Sequence, residues 1–190
     1  MLALHFGTFL IFSGLVLLIV ASISAPTVAK IDFLSIPLTN GSSVNFGTLG
    51  FCILNPDGNS CTPTAVGYRI ADEVSSLGID AFSDDQATTI YRASKALVLN
   101  QIAAGIAGIA FLLAVCSHRL GYLFASAVAF VAFLFSLGAL IVDFVVFGAV
   151  KQQLGRNGGT SKWGSAIWLV LVATIILFLA SIATCFAYVL

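Results

Sequence analysis

Charge is what this sequence most lacks. Only 8% of its 190 residues are Asp, Glu, Lys or Arg, and the eight acids cancel the eight bases. A soluble domain carries about 25% charged residues, so a water-facing surface around the whole chain is excluded. The balance of signs also removes the field that draws a protein to nucleic acid. Histidine is scarce: there are two, His5 and His118. No Ser-His-Asp set, Cys-x-x-Cys pair or phosphate-binding glycine loop is present. The four cysteines have no ligand-type neighbours at metal-binding spacing. Catalysis, a metal centre and a cofactor are therefore not expected.

Apolar length is abundant. Hydrophobic residues make up 59% of the chain and the mean hydropathy is +1.08. A bilayer crossing needs about 20 apolar residues in a helix. The uncharged runs Phe6–Ala25, Ala96–Cys116, Leu120–Val142 and Trp163–Leu190 meet that need. They give spans of about 6–25, 96–117, 120–148 and 163–188 in a single four-span domain covering 1–190, with a polar lobe at 26–95. The first run also has small residues, Ser22-Ile23-Ser24, of the kind that end a cleaved signal peptide. It is read as a retained span because no Lys or Arg precedes it and it exceeds the usual apolar length of about 7–15 residues. Small residues recur at Ala104 and Gly108, and at Gly121, Ala125 and Ala129. Such rows let helices approach closely in lipid, although Ala and Gly are common in spans anyway. Transport would need polar groups at mid-membrane depth, and only Ser, Thr and Asn100-Gln101 are offered.

Two rules disagree about orientation. Lys30, Arg92, Lys95, Lys151, Arg156 and Lys162 border the first and third loops and Arg119 alone the second, which by charge puts the longer loops inside. Cys52 and Cys61 argue the reverse, because they flank a turn-rich segment as a disulfide pair would, and disulfides persist in oxidising compartments. Asn40-Gly41-Ser42 is a glycosylation sequon, though Asn-Gly is also a turn dipeptide. The choice is a lobe outside and both termini in the cytoplasm. His5, His118, Cys116 and Cys185 then lie at cytoplasmic helix ends, where the two cysteines are either palmitoylation candidates or small buried hydrophobes. The histidines, the side chains that titrate near neutrality, are thus absent from the lobe, which disfavours a pH sensor in its own right.

Within the lobe, Ile31–Leu38 reads as an edge strand containing Pro37. Val44–Leu54 and Thr62–Ile70 read as two strands joined by an Asn55–Ser60 turn, with Cys52 opposite Cys61. Gly47 and Gly50 are bulge or close-approach glycines. Ser83-Asp84-Asp85-Gln86 has the form of a capping box, so a helix should start near Asp84 and run to Cys116, about 50 Å at 1.5 Å per residue. Asp143 is expected near the outer interface, paired with Arg92 or Lys95. Lys151–Lys162 reads as a flexible polar loop.

The run Phe46-Gly47-Thr48-Leu49-Gly50-Phe51-Cys52, then Cys61 and Gly67-Tyr68-Arg69-Ile70, resembles the fungal PalI-type family, distantly claudin-like. That resemblance implies a left-handed four-helix membrane bundle with a small antiparallel sheet, and makes Phe46, Gly47, Gly50, Phe51, Gly67 and Tyr68 the motif positions. Claudins carry Trp in the glycine-rich motif where this chain has Phe46 and Phe51, so junction-strand formation is not carried over. The resemblance implies one of two plasma-membrane roles: organiser of eisosome-associated patches, or accessory to a seven-span receptor in ambient-pH signalling. Expected partners are membrane lipids, including sterol, a larger integral membrane protein, or further copies of the chain, but no nucleic acid.

Overall fold

The computed structural model describes residues 2–38, 41–56, 58–76, 83–116, 119–156 and 158–189. Helix α1 (Leu2–Ser22) leads to strands β1 (Leu34–Pro37), β2 (Ser43–Phe46), β3 (Phe51–Asn55) and β4 (Gly58–Cys61). Helices α2 (Ile70–Ser76) and α3 (Asp84–Ser94) follow, then a 3-10 turn at Lys95–Val98 and helix α4 (Leu99–Cys116). Helix α5 (Arg119–Arg156), strand β5 (Lys162–Trp163) and helix α6 (Ser165–Val189) complete the chain. Three helical stretches, Asp84–Cys116, Leu123–Arg156 and Ser165–Phe186, are long and apolar enough to cross a membrane, and Phe6–Ser22 is a shorter apolar helix. The fold separates into two compact units. One holds Met1–Ser22, Leu99–Leu140 and Trp168–Leu190; the other holds Ile23–Val98 and Ile141–Ile167.

The first unit is a four-helix bundle with a small-residue core. Leu18 of α1, Ala103, Ala104 and Ala107 of α4, Ala132 of α5, and Ala173 and Leu177 of α6 form one buried cluster. Ile11, Ala110, Ala114, Ala125, Ala129 and Ala180 form a second. The large side chains point the other way: Phe9, Phe124 and Phe186 are 63%, 65% and 64% exposed. In lipid no hydrophobic force draws apolar groups inward, so helices associate by close packing and small residues win the interface. The buried row on α4 is Ala103, Ala107, Ala110 and Ala114, beside the expected Ala104–Gly108 row; Gly108 has only a Leu15 methyl within reach, at 3.8 Å from a Cβ placed there. The tightest approach comes from a residue the small-residue rows left out. A Cβ on Gly7 of α1 would sit 2.7 Å from Thr184 Cγ2 of α6. Buried hydroxyls add interhelical hydrogen bonds: Ser136 and Thr174 share one at 2.7 Å, and Ser126 Oγ donates to the Ser181 carbonyl at 2.9 Å.

The second unit is organised by a five-stranded antiparallel sheet in the order β4-β3-β2-β1-β5. Several expected boundaries move. Val44–Leu54 is not one strand, because the chain reverses between Phe46 and Phe51, where the Gly47 N–H donates to the Gly50 carbonyl at 2.8 Å. Thr62–Ile70 is not a strand either: β4 is the shorter Gly58–Cys61, and Ile70 starts α2. Nor is β1 a free edge. It pairs with β5 through Leu34↔Trp163 and Ser35↔Lys162, while Pro37, which has no N–H to offer, lies beyond that pairing. The expected flexible loop is largely ordered, since α5 continues to Arg156. It ends where Gly158 adopts φ +75°, with the Gly159 N–H on the Leu154 carbonyl at 2.9 Å and the Gly158 N–H on the Gly155 carbonyl at 3.4 Å. α1 stops at Ser22 rather than at 25, just before Pro26, whose ring disfavours a helical residue ahead of it.

The capping box is found as expected. α3 starts at Asp84, the Ser83 N–H donates to Gln86 Oε1 at 3.2 Å, and Asp84 and Asp85 fill the first turn. The helix expected to run unbroken from there tightens into the 3-10 turn at Lys95–Val98. The core of this unit is aromatic. Phe33, Phe46 and Phe147 have no exposed surface, and Phe33 stacks on Phe147 of α5 with centroids 5.3 Å apart. In the lobe, Phe33 and Phe46 are each worth roughly 1.5–3 kcal/mol on burial from water.

Candidate functional site

The residues that carry the sequence motif meet in one clasp on β2, β3 and the segment before α2. Phe46 ends β2 and Phe51 begins β3, so the reversal sets their rings 5.8 Å apart; Tyr68 packs on Phe51 at 6.2 Å. The Tyr68 hydroxyl donates to the Gly47 carbonyl at 2.8 Å, tying the far segment to the reversal itself. Gly47 must be glycine because a Cβ would drive into the Ala25 carbonyl. Gly50 faces Thr62, whose Oγ1 accepts from the Phe51 N–H at 3.1 Å and donates to its carbonyl at 3.2 Å. Gly67 has φ +72°, a left-handed turn that places Tyr68. Of the two readings for Gly47 and Gly50, close approach holds, at a turn rather than a bulge.

Cys52 and Cys61 are register partners on β3 and β4 with Cα atoms 4.1 Å apart, joined by a disulfide. The bridge fastens the outer hairpin, whose β4 residues are all exposed, to the buried part of β3. Closing a loop of this length constrains the unfolded chain by about 2–3 kcal/mol.

Partners outside the motif complete the clasp. Asn45 is buried, accepts from Ser35 Oγ at 2.8 Å and donates to the Ala29 carbonyl at 2.8 Å. Ser24 Oγ accepts from the Thr48 N–H at 3.3 Å. An Asn inside a strand was the available signal, since Asn is depleted there unless its amide is used. Ser24 and Thr62 gave none.

Electrostatically the clasp is quiet. Burial pushes the Tyr68 phenol above its ordinary range, which keeps it a hydrogen-bond donor at physiological pH. Burial likewise pushes the Asp32 carboxyl up, opposed by its backbone hydrogen bond. Its Oδ2 has no hydrogen-bond partner among the described residues, while the Asp32 and Phe33 carbonyls accept from Ala166 and Gly164 at the start of α6, both at 2.9 Å.

The other expected sites lie outside the clasp. Asp143 is fully buried on α5, whereas Arg92 and Lys95 are exposed and Lys95 Nζ lies over the Tyr91 ring. Cys116 and Cys185 are free and exposed, not buried hydrophobes. Asn40 and His118 lie outside the described residues, as does the side chain of His5.

Apolar helices packed largely by alanine, in the same chain as a disulfide-stapled sheet, define a multi-pass membrane protein. The SUR7/PalI family model matches residues 3–180. The chain belongs to that family, a membrane-organising one with no known catalytic role. It is similar to the pH-response regulator protein palI/prr-5 of Neurospora crassa, 28% identical over 183 residues. The match takes in 93% of this chain but only 24% of that relative, so the chain spans about a quarter of its length.

Proposed function

We propose that the chain is a non-catalytic organiser of the plasma membrane, held laterally against a larger integral membrane protein or a sterol-rich microdomain, and that it supports membrane and cell-wall organisation. The observation that carries this reading is the inverted packing of the bundle. Alanines, with Ile11, Leu18 and Leu177, fill its interior and large aromatics face outward, an apolar surface that a membrane neighbour can pack against. Family membership supports it, and the clasp adds a rigid lobe rather than a reactive one. The orientation proposed has both termini in the cytoplasm and the lobe outside, which the Cys52–Cys61 disulfide favours. Asn40 would then be open to glycosylation, and exposed Cys116 and Cys185 to acylation on the inner face. Asp143 with Arg92 or Lys95 remains a proposed outer ion pair.

The test is purification in mild detergent followed by identification of what accompanies the chain. Pumps, wall synthases or microdomain proteins support the organiser. A second reading, accessory to a seven-span receptor in ambient-pH signalling, is favoured by the similarity to the Neurospora regulator; recovery of such a receptor would support it instead. A chain recovered alone, with sterol no more enriched than in the bulk membrane, would refute both.

A further inference from the structure

Two cations converge on one tyrosine at the end of α3. The Arg69 guanidinium carbon lies 5.2 Å from the centre of the Tyr91 ring, and Lys95 Nζ lies 4.7 Å from it. Both fall inside the reach of about 6 Å over which a ring face attracts a cation, and both side chains remain exposed. The arrangement is held by the backbone around it. Ser94 Oγ donates to the Tyr68 carbonyl at 3.0 Å, binding the segment that carries Arg69 to the helix that carries Tyr91. Gly67 brings that same segment so near Lys95 that a Cβ would strike the lysine stem.

The local charge is positive. Asp72 of α2 pairs with Arg69 at 3.4 Å and Glu73 follows it in sequence, so these two acids leave one positive charge in excess among Arg69, Arg92 and Lys95. The acids of α3, Asp84 and Asp85, lie about 10 Å back along the helix from Tyr91 at 1.5 Å per residue. Lys95 also directly precedes the uncharged run Ala96–Cys116, the level at which tyrosine and basic side chains meet lipid headgroups. Exposed, prearranged cations at that level are complementary to a phosphodiester with net negative charge.

We propose that Arg69, Tyr91 and Lys95 form a binding site for the phosphate of an anionic membrane lipid. The site requires a membrane-spanning chain but not the organiser role, so the two can fail separately.

The full chain, reconstituted in phosphatidylcholine vesicles, would be probed with spin-labelled phosphatidylglycerol and spin-labelled phosphatidylcholine, comparing the motionally restricted fractions. The intact chain is expected to prefer phosphatidylglycerol by about fivefold. Arg69→Gln with Lys95→Gln should bring the ratio to about one, and Arg156→Gln, an exposed base elsewhere, should leave it unchanged. Lys95→Gln alone, a single surface change, should lower it partway if the double variant does not fold. No preference in the intact chain, an unchanged ratio in these variants, or an equal loss with Arg156→Gln would overturn the site. Binding of inorganic phosphate by the detergent-solubilised chain without any lipid preference would overturn the lipid assignment in favour of a soluble anion.

Discussion

In the bundle unit most buried side chains are small, as at Ala107, Ala129 and Ala173, with Ile11, Leu18 and Leu177 among them, while Phe9, Phe124 and Phe186 face outward. In the sheet unit the order is reversed, with Phe33, Phe46 and Phe147 wholly enclosed. One chain thus packs itself by two opposite rules, and the reason is the solvent each part meets. Water expels aromatic rings, so the sheet unit gathers them and gains by their transfer. Lipid is indifferent to a ring, so the bundle gains only from how closely backbones approach, which alanine permits and phenylalanine prevents. The sheet unit should therefore be broken by removing volume and the bundle by adding it.

The largest effect expected is that of Phe46→Ala, which empties the centre of the clasp. A loss of about 3–5 kcal/mol is anticipated, read as earlier chemical unfolding of the lobe and faster reduction of the Cys52–Cys61 bond. Next comes Cys52→Ser, at about 2–3 kcal/mol from the freed loop. Lower surface abundance together with lower partner recovery is the expected readout, and normal values of both would show the staple to be dispensable. On the bundle side, Ala107→Leu should cost about 1–3 kcal/mol by forcing helices apart, measured by detergent denaturation; a neutral result would contradict tight small-residue packing. Ser136→Ala should cost only about 0.6 kcal/mol, the usual worth of one interhelical hydrogen bond in a membrane.

The subtlest contrast is in acid response. Folding raises the Asp32 pKa, so the neutral carboxyl is the form the folded lobe prefers. Its favourable contribution is complete below the ordinary value of 3.8 and is lost as pH rises through the raised folded value. Asp32→Asn should therefore flatten the rise in lobe stability expected on acidification toward 3.8. Parallel pH profiles for the two proteins would refute this role.

The sequence showed the elements whose signals are local. Apolar length marked the helices, Ser83 to Gln86 marked the start of α3, and Cys52 with Cys61 fell opposite one another as their spacing suggested. What it concealed depends on distant partners. β5 is two residues long, too short for any alternation to register, and exists because β1 offers it a ladder. The reversal at Gly47–Gly50 hid within β-prone residues, since the Ala25 carbonyl that leaves no room for a Cβ on Gly47 comes from a distant segment. α2 was masked by Val66 and Ile70, which suggested a strand. Within the candidate site the six motif residues were legible one by one, but not the Tyr68 hydroxyl on Gly47 that unites them.

The pairing of β1 with β5 also sets an order of events during synthesis. β1 emerges early, yet its partner Lys162–Trp163 follows only after α5. Until the ribosome has passed Trp163, Leu34 and Ser35 present unpaired backbone groups that any passing strand can meet. The lobe is thus a seal completed late. A chain arrested before Lys162 would carry an open edge, a mark by which unfinished copies differ from finished ones.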